Sequence, residues 1–175
     1  MMRFESLILT ATLLFSPVAV AGPDAFATGP IIEGYGGVAE IDDARLDETT
    51  QFKIAYDVAK AAEPGQINRR LETAARFLNM HGRAGVPAEN MRLAIVVHGG
   101  AHKDLLNDAG YGGENASAGL IAALIEAGVT IELCGQTAAY YDVAESDLLP
   151  GVTMSLSAMT SHALLQQDGF TLNPF

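Results

Sequence analysis

The stretch Met91 to His98, MRLAIVVH, limits the possible folds more than any other part of this 175-residue chain. It is apolar at almost every position and ends in Gly99-Gly100, where the backbone turns sharply. A strand with one wet face alternates apolar and polar residues, whereas a continuous apolar run fits a parallel sheet covered by helices on both faces. Phe52 to Val58 (FKIAYDV), Val129 to Cys134 (VTIELC) and Val152 to Leu156 read as further strands, and Phe170 to Leu172 as a short fifth. Helical patterns lie between them. Pro64-Gly65 opens a helix over Gln66 to His81, in which Ile67, Leu71, Ala74, Ala75 and Leu78 share one face and Gly82 is the expected stop. Ala116 to Ala127 is a second helix, with Leu120, Ile121, Leu124 and Ile125 inward, and Gln136 to Tyr141 is a short third. Ser157 caps a last helix over Ala158 to Gln167. Such alternation predicts an α/β domain over residues 51–175, with a parallel sheet and right-handed crossovers.

The amino terminus points to a compartment. An Arg at position 3, an apolar run from Leu7 to Phe15 and the small-x-small triplet Ala19-Val20-Ala21 read as a signal peptide over residues 1–21. The run is too short to cross a bilayer, which takes about 20 apolar residues. The mature protein is therefore expected to begin at Gly22, to be periplasmic or secreted, and to have no membrane contact after cleavage. Residues 22–50 form an amino-terminal arm without a sustained period, with at most a short strand near Ile31 and a short turn of helix.

The formal charge of −11 is unaffected by cleavage, because Arg3 and Glu5 leave together. With no Lys/Arg cluster against that field, nucleic acid and anionic membrane are not expected partners. The Gly-Tyr-Gly-Gly tetrad occurs at Gly34 and again at Gly110. Neither copy has the lysine of a phosphate loop or the setting of a dinucleotide fingerprint, so no cofactor is expected.

Cys134 is the single cysteine. It falls where the third strand runs out and a helical turn begins, the edge at which open α/β sheets bind ligands. A helix start and a protonated His98 would both favour its thiolate. His98 could also accept the thiol proton. Gln136 and Thr137 could hold a substrate oxygen at the helix start, and Asn68, just inside the helix after the first strand, could point at the same edge. Asn115-Ala116-Ser117 fits a glycosylation acceptor, although a helix cap at Asn115 suffices. Two other readings remain open: a metal site built from Cys134, His98 and His102, for which no compact ligand motif exists and no metal is assigned, and a non-catalytic oligomeric protein holding a small ligand.

VVHGGA from Val96, ELCGQTAAYYD from Glu132 and LLPGVTMSLSAMTSHALLQQDGFTLNPF from Leu148 together resemble the exported branch of the DsrE/DsrF-like family. The resemblance covers roughly Gln51 to Phe175. It implies a three-layer α/β/α domain with a five-stranded, mainly parallel sheet in the order 4-3-2-1-5, usually in a homo-oligomer. It also implies that Cys134 carries persulfide sulfur, received from or passed to a sulfur donor or acceptor. In that order the second and third strands are neighbours, so His98 and Cys134 would end adjacent strands about 4.8 Å apart. The relay partners of the cytoplasmic branch would not share an exported protein's compartment.

Overall fold

The computed structural model describes residues 22–174, and the signal peptide expected over residues 1–21 lies outside the described residues. Strands β1 (Phe52–Val58), β2 (Met91–Val97), β3 (Thr130–Cys134), β4 (Thr153–Ser155) and β5 (Thr171–Asn173) form one sheet in the order β4-β3-β2-β1-β5. Every pairing is parallel, in the order the resemblance implies. The two edge strands are three residues long, which limits the unpaired backbone a sheet edge offers to other chains.

The helices are α1 (Arg69–Arg83), α2 (Asp108–Tyr111), α3 (Ala118–Glu126), α4 (Gly135–Tyr141) and α5 (Ala158–Gln167). Strand alternation decides which face each helix covers. Tyr56, Val58, Ile95, Val97, Ile131 and Leu133 point into the main core, where they meet Leu71 and Leu78 of α1 and Leu120 and Leu124 of α3. On the opposite face Ala55 and Ala94 are small enough for the last helix to come close, and they pack with Phe170 and Leu165 of α5. The result is helix, sheet and helix.

Some element ends differ from the sequence reading. Helix α1 starts at Arg69 rather than Gln66, because the Asn68 side chain caps it by accepting from Arg70 N. It also runs through Gly82 to Arg83, and the turn with φ +88° falls at Gly85. Gly82 instead lets the arm lie against the helix, since a Cβ there would meet Ile31 Cδ1 at 2.8 Å.

The arm forms no strand near Ile31; an isolated antiparallel bridge joins Ala27 to Val38 instead. It is tied to α1 by Asn79, which is fully buried. Asn79 Oδ1 accepts from Ile31 N and Ile32 N at 3.1 and 2.7 Å, and Nδ2 lies 3.0–3.1 Å from the carbonyls of Ile32, Tyr35 and Gly36. One buried amide thus satisfies five backbone groups of a segment with no ladder of its own.

Candidate functional site

Val97 and Leu133 are in register on neighbouring strands, so the next residues, His98 and Cys134, stand side by side at the carboxyl edge. Leu133 points into the main core, which turns Cys134 to the α5 face. On that face a cleft of about 320 Å³ is lined by Asp57, His98, Cys134, Gln136, Thr137, Met159 and His162, among others. Cys134 is 6% exposed at its floor.

The thiol's surroundings are set by two helix starts. Cys134 is the N-cap of α4, and α5 begins at Ala158 across the cleft. Burial pushes the thiol pKa up, but hydrogen bonds from the N–H groups of Ala158, Thr137 and Gln136 and from the Thr137 hydroxyl outweigh it, leaving the pKa below its ordinary value. Thr137 Oγ1 itself accepts from Gly99 N at 3.1 Å, which leaves its proton for the sulfur. The loop after β2 therefore fixes the hydroxyl that faces the thiol. Gln136 Nε2 donates to Leu156 O at 3.3 Å, bracing α4 against the end of β4.

His98 shares the cleft but is not among the groups that lower the thiol pKa. Its Nε2 lies 3.2 Å from Asp57 Oδ2, while His162 Nε2 lies 2.8 Å from Asp57 Oδ1. One carboxylate therefore grips two imidazoles. Burial raises the Asp57 pKa, but the hydrogen bonds and charges of His162 and His98 bring it below the usual carboxylate range. The groups that lower the thiol pKa are thus backbone amides and Thr137, while His98 is oriented by Asp57.

Asp57 and His162 were not singled out in the sequence. A signal for Asp57 did exist: it is the one acid in the strand, and alternation puts it on the face opposite Tyr56 and Val58. Asn68 is not brought to this cleft. It is 3% exposed, neither a surface residue nor a substrate contact at Cys134, and it donates to Asp104 Oδ2 at 2.6 Å and Lys60 O at 3.0 Å. His102 is also elsewhere, with Nδ1 2.8 Å from Gly99 O and its ring stacked on Tyr141. Among the described residues no group of three or more His, Cys, Asp or Glu side chains has metal-holding geometry. Asn115 is buried, donating to the carbonyls of Asp104 and Leu106 and accepting from Ser117 N, so it shapes the approach to α3 and presents no amide to a glycan.

A family model described as the DsrE/DsrF-like family matches residues 52–174. A search of curated proteins found no match. Among solved structures, the chain is similar to a protein of unknown function, MTH1491, from Methanobacterium thermoautotrophicum, with a TM-score of 0.57 and 19% identity. It is also similar to the ychN protein from E. coli, with a TM-score of 0.53 and 16% identity. Each alignment covers 71% of this chain and 100% of the other. At these identities the likeness is one of fold.

Proposed function

The chain belongs to the DsrE/DsrF-like family, which is associated with sulfur relay, and on that premise we propose that Cys134 carries sulfane sulfur as a persulfide. What supports this most is the position of Cys134 at the start of α4 and in one cleft with the start of α5, where N–H groups and Thr137 lower its pKa and favour the thiolate that sulfur chemistry needs. In the loading step the Cys134 thiolate attacks the outer sulfur of a donor persulfide. The donor's S–S bond breaks, a new S–S bond forms on Cys134, and the donor leaves as a thiolate. Sulfane sulfur is moved without net oxidation, so no external oxidant is required. Unloading reverses the roles, with an acceptor thiolate attacking the outer sulfur. In this reading His98, oriented by Asp57, takes up or returns the acceptor's proton, and His162 braces Asp57 from the other side.

Gln136 and Thr137 line the cleft where a substrate would enter: Thr137 turns its proton to the sulfur, and Gln136 braces the start of α4. The protein works outside the cytoplasm if residues 1–21 act as a signal peptide, and its donor is then a persulfide available there. Among the described residues no helix is long and apolar enough to cross a membrane.

The test is a two-step transfer. Protein treated with a small-molecule persulfide and desalted should release sulfane sulfur to an added thiol, and Cys134→Ser should release none. A protein that takes up no sulfane sulfur while folded, yet does so when denatured, would support the alternative in which Cys134 only packs and the cleft holds a small ligand.

A further inference from the structure

A second cavity, of about 540 Å³, shares no lining residue with the cysteine cleft. It lies between the loop after β1, the turn after β2 and the end of α4, and its volume is within the roughly 300–1,000 Å³ typical of small-molecule sites. Its wall includes Asp104, which is only 2% exposed. Both hydrogen bonds to the Asp104 carboxylate, from Asn68 Nδ2 at 2.6 Å and Ala62 N at 3.0 Å, fall on Oδ2. Oδ1 accepts none among the described residues. With the rest of the side chain buried, that oxygen is the part of Asp104 left open to the cavity, where it can accept from a group that enters.

The rest of the wall says which. Asp142 and Asp147 add two carboxylates, against a single lysine, Lys103, which makes no ion pair among the described residues. Tyr111 and Tyr141 supply aromatic surface, and the Tyr141 ring is held by stacking on His102 with centroids 4.1 Å apart. Carboxylates around aromatic rings suit a cation and repel an anion. One free oxygen on Asp104 suits a single N–H donor better than the two-pronged fork of a guanidinium.

We propose that this cavity binds a small protonated amine, its ammonium donating to Asp104 Oδ1 and its charge balanced by Asp142 and Asp147. The hydrocarbon part lies against Tyr141. This site is independent of the sulfur chemistry at Cys134.

Calorimetric titration of the full chain with spermidine at moderate salt tests it. One saturable site is expected, unaffected by Cys134→Ser. Loss of a charge-assisted hydrogen bond is worth about 1.5–3 kcal/mol, so Asp104→Asn should weaken binding by about tenfold or more. Asp104 also braces the Asn68 cap, so that variant could fail to fold; Asp142→Asn gives a second reading. Asp142 is exposed, its side chain has no hydrogen bond among the described residues, and asparagine tolerates its φ of 57°. It should weaken binding about threefold or more with an unchanged melting temperature. Asp42→Asn, an exposed acid on the arm, should change nothing. No saturable binding, or an equal loss in Asp42→Asn and Asp142→Asn, would overturn the proposal, since the latter would reduce it to attraction by the overall charge of −11.

Discussion

Thr137 and Gly99 set the thiol's state through one hydroxyl: its oxygen accepts from the Gly99 amide and its proton goes to Cys134. Thr137→Val removes both bonds, so the thiol pKa should rise and alkylation by iodoacetamide at neutral pH should slow by roughly threefold or more, the lost thiolate fraction being partly offset by the greater nucleophilicity of a more basic thiol. Thr137→Ser should restore the rate. Equal rates in all three proteins would show that the hydroxyl does not act on the sulfur. Asp57 gives a pH-dependent prediction. Its carboxyl is raised by burial and lowered further by His162 and His98, and the net depression means that it binds its proton less readily folded than unfolded. A group of this kind stabilises the fold above its unfolded pKa of about 3.9, and that stability is lost as pH falls through the folded value. Wild type should therefore be more stable than Asp57→Asn in urea melts above about pH 5, and the gap should close on acidification. A gap that widens as the carboxylate protonates would contradict the imidazole–carboxylate pairing.

At the level of elements, α4 comes so close to the end of β4 that there is no room for a side chain at Gly135. A Cβ there would collide with the Ser155 carbonyl and lie 3.2 Å from that of Leu156, both backbone atoms that cannot swing aside. Gly135→Ala should move α4, lower the melting temperature and slow Cys134 alkylation together; a change in only one of the two would separate the helix position from the site. The arm depends on α1 in the same local way. Asn79→Ala removes five hydrogen bonds to the arm backbone, of which only the one to Ile32 O has a substitute, from Gly29 N, and a loss of about 2–4 kcal/mol is expected in denaturant unfolding. How far these elements were legible follows from what holds them. β1 and α5 have the bounds read from sequence, because a β-rich run and a Ser cap followed by a Gly stop are local signals. The packing of the arm was not legible, since its contacts run to a side chain more than 40 residues away and have no period. Gly82 misled for a related reason, because it serves tertiary approach and not helix termination. At the site, Cys134, His98, Gln136 and Thr137 were visible as strand ends and a helix start. The Asp57–His162 pair was not, because its partners are 105 residues apart and meet only when α5 crosses the second face of the sheet.

On the scale of the whole molecule, the α5 face is unfinished. Ser161 is the only buried residue of α5, while Met159 and Leu164 are 80% and 60% exposed, and Leu156 and Leu172 are exposed beside them. A helix apolar on its outer side normally has cover. Light scattering is expected to give a multiple of the chain mass, independent of reductant, and Leu164→Glu is expected to reduce it; a wild-type monomer at micromolar concentration would contradict this. The same face carries the mouth of the cysteine cleft, so assembly through it would change access to Cys134. The most direct test of the sulfur reading is the intact mass of protein purified from its native compartment without reductant. The expected species begins at Gly22 and carries one additional sulfur atom, which thiol treatment removes and Cys134→Ser never acquires. An unmodified thiol, unreactive toward a small persulfide until the chain is denatured, would contradict it.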